Sequence, residues 1–487
     1  MSEPVVIIGA GPTGLLLAIE LALAGVRPVV LDRKDAPPPH SPGQAINVST
    51  VELLDQRGLM DGLRDKGLPL PGAHFSLVWL APDKLDAPED RHDSSLLVPQ
   101  SAVEARLAER VAELGVEVRR GYELTGLAQG DNGVVLQVAG PDGAYELHST
   151  YLVGADGDDS TVRRLAGIGL PGSDWSFSGI VGDVRLDFGT LDPSHFGARY
   201  ADVGGMYSGT PVGPDTLRVI VTEFGDEPWS SDDPVPPNEL LTGVERLTGK
   251  ALPSDQVLWA SRFISRSGNA ERYRHGRVFL AGDAAHTFFP LGGLRIGTSA
   301  QDAVNLGWKL AAELNGWAPP GLLDTYQAER RPEGERARIA LDAQLALAHP
   351  PTRVAGIRAV FTELAAQPDV NRRLVRQVTG VDVRHPFAES GVADHPLLGA
   401  RLPLVADIQR LLHPAKGVLI DFSAGAVDLT AAKPWAERVD SASLAPVDGI
   451  DARALLLRPD GHVAWVWSAE ADDLSTALKT WFGAPDA

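Results

Sequence analysis

Two hydrophobic periods divide this chain. Pro4-Val-Val-Ile-Ile8 is a short, β-branched apolar run, which suits a strand buried on both faces of a parallel sheet. Leu15 to Ala24 reads as a helix that Gly25 ends, and Val26 to Leu31 as a second strand closed by Asp32. Apolar runs at Tyr151–Gly154 and within Gly276–Gly282 predict two further strands, each ending in an acidic turn. A long helix is expected from about Thr298 to Asn315. Gly179–Phe188 and Thr216–Phe224 alternate in the manner of antiparallel strands, and Phe75–Leu80 is expected to join their sheet. Pro350 to about His395 reads as helical. Strands then recur at Gly417–Phe422, Ala454–Arg458 and His462–Trp467, followed by a final helix from Leu474.

The opening strand–helix–strand carries Gly9-Ala-Gly11-Pro12-Thr13-Gly14 at its first turn. Gly9 permits a tight turn, Gly11 lets backbone N–H groups approach a pyrophosphate, and Gly14 lets the helix pack on the strands. The helix N-terminus then presents its positive end to the phosphates. Asp32, with Arg33 beside it, stands where an acid accepts hydrogen bonds from a ribose. This fingerprint marks a dinucleotide site without separating NAD from FAD.

Two later motifs favour FAD. Gly154-Ala-Asp156-Gly157 leads into Ser160-Thr-Val-Arg163-Arg164, and Gly282-Asp283-Ala-Ala-His286 precedes Pro290-Leu-Gly292-Gly293. Both acids fall at the carboxyl ends of strands, where open α/β sheets place ligands. A second acid there can bind a polyol such as the ribityl chain of FAD.

Composition narrows the partners. The 487 residues carry a formal net charge of −20 and include no cysteine. That surface repels nucleic acid and anionic membranes. Disulfides, thiolate nucleophiles and cysteine metal sites are excluded, and the histidines show no metal-ligand spacing. No apolar run approaches the ~18–20 residues that span a bilayer. The expectation is a cytoplasmic monomer or homodimer without a metal.

The three motifs, in order, resemble the single-component FAD-dependent aromatic hydroxylases related to p-hydroxybenzoate hydroxylase. Val51–Leu59, Val98-Pro-Gln100, Gln301–Leu310 and Tyr326–Pro332 are similar too, and Arg458–Trp465 looks like the thioredoxin-like tail of the polyketide hydroxylase branch. The resemblance implies that Asp283 binds the ribityl hydroxyls, that Asp156 helps hold FAD and supports the nicotinamide, and that Gln100 contacts FAD. It also implies that Pro290, Gly292 and Gly293 pass close to the isoalloxazine, with backbone N–H groups near Gly297 favouring negative charge on the reduced ring. The implied reaction reduces FAD with NADPH or NADH, which visits without a domain of its own. O₂ then adds at flavin C4a, and the hydroperoxide oxygenates a polycyclic aromatic, polyketide-type substrate of antibiotic-type metabolism. Glu329 and Arg330 to Pro332 are expected to end or brace a helix.

The sequence departs from the family at the site. Where relatives read P-x-G-G-Q-G-x-N, this chain has Leu294, Arg295 and Gly297, and Pro42 stands near an expected arginine. Arg295 is a candidate stabiliser of the anionic reduced flavin. Baeyer–Villiger insertion, epoxidation and a non-catalytic binding scaffold therefore stay open beside hydroxylation; no side-chain general base is identified.

The expected fold is α/β: a Rossmann-type FAD-binding domain (1–73, 97–171 and 273–340), an antiparallel substrate sheet (74–96 and 172–272), a helical connector (341–395) and a thioredoxin-like C-terminal domain (396–487). Trp79, Phe177, Phe196, Tyr200, Met206, Tyr207 and Phe224 are candidate pocket residues.

Overall fold

The computed structural model describes residues 3–41, 43–70, 72–81, 92–201, 203–223, 234–289, 291–348, 351–387, 395–403, 405–467 and 474–486. Its largest sheet runs Arg274–His275, Val278–Leu280, Gly143–Gly154, Glu3–Ile8, Val29–Asp32 and Glu117–Arg120 in spatial order. From Val278–Leu280 to Glu117–Arg120 every pairing is parallel. The hairpin Glu123–Gly130 and Gly133–Gly140 folds onto the early part of Gly143–Gly154. Val5, Val6 and Ile7 are wholly buried, as the unbroken apolar run requires.

Helices Pro12–Leu23 and Leu294–Leu314 pack together beside this sheet. Their closeness depends on Gly307, where a Cβ would lie 2.4 Å from the Cβ of Glu20. The second helix begins a turn earlier than the hydrophobic pattern suggests, because Gly293 at φ 73° supplies its start.

A six-stranded antiparallel sheet follows the order Gly197–Ala201, Gly205–Gly213, Thr216–Glu223, Gly172–Arg185, Val257–Asn269 and His286–Thr287. Its period-2 alternation sorts two faces. Leu217, Val219 and Val221 enter a core capped by Leu240 and Val244 of helix Pro237–Thr248. Met206, Ser208 and Ile220 turn to the opposite face, which lines a cavity.

The Phe75–Leu80 run does not join this sheet. Ala73–Phe75 and Val78–Leu80 pair with each other and pack on the helices Pro351–Ala365 and Pro368–Thr379. Ser76 and Leu77 take φ of 53° and 57°, the left-handed pair of a two-residue hairpin turn, and fold the run back on itself.

The C-terminal sheet orders Val439–Ser443, Gly417–Asp421, Ala454–Leu457 and Val463–Trp467, with the first pair parallel and the others antiparallel. Helix Leu474–Phe482 covers it in a thioredoxin-like arrangement. One face shares its core with Trp308 and Ala312 of the Leu294–Leu314 helix. Buried charge reinforces the junction: Arg458 donates to both Glu329 oxygens at 2.8 Å. Arg57 binds Glu20 at 2.5 and 2.9 Å and the Pro459 carbonyl at 2.7 Å. Among the described residues no helix is long and apolar enough to cross a membrane.

Candidate cofactor and substrate site

A cavity of about 1110 Å³ runs from the opening glycine turn to the antiparallel sheet. A pocket for one drug-sized ligand is about 300–1,000 Å³, so this space suits a long cofactor together with a substrate.

The glycine turn is built as the fingerprint demands. Gly9 has φ 107°, and a Cβ there would lie 2.2 Å from the Ala155 carbonyl oxygen. A Cβ on Gly14 would lie 1.9 Å from the Gly9 oxygen. Gly11 differs: it caps the Pro12–Leu23 helix without a side-chain partner, and a Cβ on it would meet nothing within 4 Å. The space in front of that helix end is a cradle for an anionic group. Asp32 braces the turn by accepting from the Ala10 N–H at 2.9 Å and the Lys34 N–H at 2.8 Å. Pro12, Thr13, Arg33 and Gln100 line the cavity. Gln100 donates to Glu104 at 2.7 Å from the first turn of its helix.

The two acidic turns meet this cradle differently. Asp156 turns away from the cavity. It accepts from the Ser160 hydroxyl at 2.6 Å and the Val162 N–H at 3.1 Å, capping a short helix, and burial pushes its carboxyl pKa up. Its successors Asp158, Asp159 and Arg163 line the cavity instead. Arg163 ties the two turns together, donating to the Ala284 carbonyl at 3.0 Å and the Asp158 carbonyl at 2.9 Å. The Ser160 cap aims it, a signal present in the sequence as Ser-x-x-Arg at a helix start.

Gly282 has φ 62° and lies against Thr13, whose hydroxyl oxygen would stand 2.5 Å from a Cβ. This contact sets the Gly282–Asp283 turn beside the first glycine turn. Asp302, fully buried, accepts from the Gly282 N–H at 3.1 Å, pairs with His286 at 2.7 Å and receives Arg330 at 2.8 Å. Sequence reading missed this support because Asp302 and Gly282 are remote along the chain. Glu329 and Arg330 tie the Thr325–Ala346 helix to its neighbours: Glu329 pairs with Lys309 and Arg458, and Arg330 with Asp302.

Asp283 lines the cavity and is already engaged: Arg295 Nη2 lies 2.6 Å from its carboxylate and 3.6 Å from that of Asp158. Gly292 opens into free space and lines the cavity with Gly293. Pro290 and Pro42 lie outside the described residues. The Gly297 N–H is consumed by the Gly293 carbonyl at 3.1 Å, so the N–H groups that the helix leaves without an intrahelical partner are those of its first turn, ahead of Gly297. Gly297 answers a packing need, since a Cβ would lie 2.6 Å from the Asn47 side chain.

Away from the glycine turn the lining combines Leu77, Val181, Met206, Ile220, Leu291 and Ile296 with Phe263, Phe289 and His74, and with Ser208, Thr287, Arg262 and Arg266. Burial pushes the His74 pKa down, favouring its neutral form. Of the aromatic candidates and Met206, Met206 alone lines this wall among the described residues. Trp79 is 65% exposed and Phe196 38% exposed. Tyr207 points into the opposite core, and Tyr200 lies against Ser76 at 3.3 Å. The Phe177 side chain and Phe224 lie outside the described residues.

The residues fit FAD. Pro12 and Thr13 at the start of the helix that Gly11 caps, Asp283, and the open backbone at Gly292 line one continuous cavity.

Residues 2–339 match the FAD binding domain family and residues 395–485 match the aromatic-ring hydroxylase, C-terminal family. The chain is 46% identical to a dialkyldecalin synthase of Streptomyces rugosporus over 99% of each protein. It is 40% identical to the 12-dehydrotetracycline 5-monooxygenase/anhydrotetracycline 6-monooxygenase of Streptomyces rimosus over 100% of each. Its fold superposes on an aromatic hydroxylase from angucycline biosynthesis with a TM-score of 0.89 at 37% identity, covering 100% of both chains. With its FAD-binding domain, substrate sheet and thioredoxin-like tail, the chain belongs to the FAD-dependent aromatic-ring hydroxylase family of monooxygenases, in its polyketide hydroxylase branch.

Proposed function

We propose that this protein is an NAD(P)H-dependent, FAD-containing monooxygenase that inserts one oxygen atom into a polycyclic, polyketide-type substrate. The continuity of the cavity carries the reading: its polar end suits a dinucleotide and its apolar end a large, weakly polar molecule. FAD supplies the electron acceptance and the oxygen activation. The protein's residues position and enclose. Gly9, Gly11 and Gly14 seat the pyrophosphate, Gln100 and Asp283 orient the cofactor, and the first turn of the Leu294–Leu314 helix presents N–H groups to the ring's anionic edge. The aliphatic wall excludes water from the reacting carbon. A cytoplasmic, soluble enzyme fits this chemistry, since nicotinamide is an intracellular reductant.

The test is NAD(P)H oxidation by FAD-loaded protein with a panel of polycyclic phenols under ¹⁸O₂. The reading expects substrate-stimulated oxidation and a product carrying one heavy oxygen. Product without label would reject it.

A second reading follows from the lining, whose apolar side chains are aliphatic apart from Phe263 and Phe289. Together with the likeness to a dialkyldecalin synthase, this favours ring closure of an apolar substrate held in the same cavity, with no net oxidation. A product isomeric with its substrate, formed without NAD(P)H, would select this reading.

A further inference from the structure

The Arg295 side chain starts from the first turn of the Leu294–Leu314 helix and crosses to the two acidic turns at the strand ends. Its Nη2 lies 2.6 Å from an Asp283 oxygen and 3.6 Å from an Asp158 oxygen. Its Nε is buried and has no hydrogen-bond partner. All three side chains line the cavity that also contains Pro12 and Thr13 at one end and Gly292 at the other. One guanidinium therefore spans the space between the dinucleotide cradle and the glycine pair, and it occupies the carboxylate expected to receive the ribityl hydroxyls.

We propose that Arg295 is an internal latch on the FAD site: it competes with the cofactor for Asp283 and must release that carboxylate before FAD can seat. The inference rests on the assignment of the Asp283 cavity wall to FAD. The ion pair engages one oxygen of Asp283, and the guanidinium itself stands between the dinucleotide cradle and the glycine pair, in the space that a cofactor spanning them would fill. The latched form is closed to the cofactor, so the apparent affinity falls by the fraction of molecules that are open. FAD should consequently load more slowly than into a site with a small residue at position 295. The partial exposure of Arg295 and Asp283 limits the effect to about tenfold.

The test compares wild type, Arg295→Leu and Arg295→Gln by stopped-flow and equilibrium quenching of FAD fluorescence. ADP serves as a probe of the glycine cradle alone. Folding of each variant is checked by thermal denaturation, and the glutamine variant stands in if leucine destabilises the helix start. The latch predicts that both variants bind FAD about tenfold tighter, through a faster association rate, while ADP affinity stays at the wild-type value. FAD affinity that is unchanged or weaker in the variants would overturn it. Failure of ADP and FAD to bind wild type at all would instead reject the cofactor assignment beneath it.

Discussion

The carboxylate of Asp302 accepts a hydrogen bond from the backbone N–H of Gly282 at 3.1 Å, and so holds in place the turn that carries Asp283. The same carboxylate pairs with His286 at 2.7 Å and Arg330 at 2.8 Å, all fully or nearly fully buried. The cavity wall at Asp283 is thus anchored from beneath by an ion pair within the core.

Asp302→Asn leaves the Arg330 guanidinium buried without a counter-charge. Removing one member of a buried pair costs about 3–5 kcal/mol. The urea midpoint should fall accordingly, and an unchanged midpoint would show that the pair contributes nothing.

The fingerprint glycines should separate into two classes. Gly9→Ala forces a side chain into the Ala155 backbone at a φ of 107°, so the fold should lose stability with or without ligand. Gly11→Ala places its methyl in open space at the helix end. Its melting temperature should match wild type while FAD affinity falls, because the methyl stands in the cradle. Equal destabilisation of both would contradict the assignment of that space to the cofactor.

These contrasts show what the sequence could reveal. Gly9, Gly14 and the run Val5–Ile8 announce a buried βαβ unit because each residue answers a local steric demand. The final helix from Leu474 was legible for the same reason, from local periodicity. The Ser76–Leu77 turn was not, since neither residue is a typical left-handed turn former. The Arg295–Asp283 pair was also hidden, although the sequence marked Arg295 as unusual, because only the fold brings the helix start opposite the strand end. For Tyr207 the pocket expectation failed through strand register: it lies one residue from Met206 and so faces the other side of the sheet.

The junction with the C-terminal domain depends on Arg458, which reaches Glu329 twice at 2.8 Å and also pairs with Asp460. Arg458→Met fills the space but leaves Glu329 and Asp460 short of positive charge. Urea unfolding followed by tryptophan fluorescence should move to lower urea, reflecting a loss of about 3–5 kcal/mol, with the C-terminal sheet unfolding first. A single transition at the wild-type midpoint would refute the role of this contact.

Acid should attack the same network. Burial alone would raise the carboxyl pKa of Glu329, but Arg458, Lys309 and His385 hold it well below its ordinary 4.5. Asp460 is held well below its ordinary value by Arg458 and His462, and Asp302 is lowered by His286 and Arg330, each against the opposing effect of burial. The unfolded chain therefore binds more protons than the folded one below about pH 4.5, so stability is full above that pH and lost as pH falls. Glu20 and Asp156, raised by burial, work in the opposite direction and soften the slope. Denaturation midpoints between pH 3 and 6 should decline towards acid, and Glu329→Gln should flatten the decline. A midpoint independent of pH over that range would exclude the network as the source.

A crystal structure of the complex with FAD bears most directly on the account. One cofactor should lie along the single cavity, its pyrophosphate at the Gly11 helix end, its ribityl chain at Asp283 and its ring beside Gly292 and Gly293. A cofactor bound elsewhere, or one that leaves the glycine turn and the Asp283 wall to separate ligands, would contradict it.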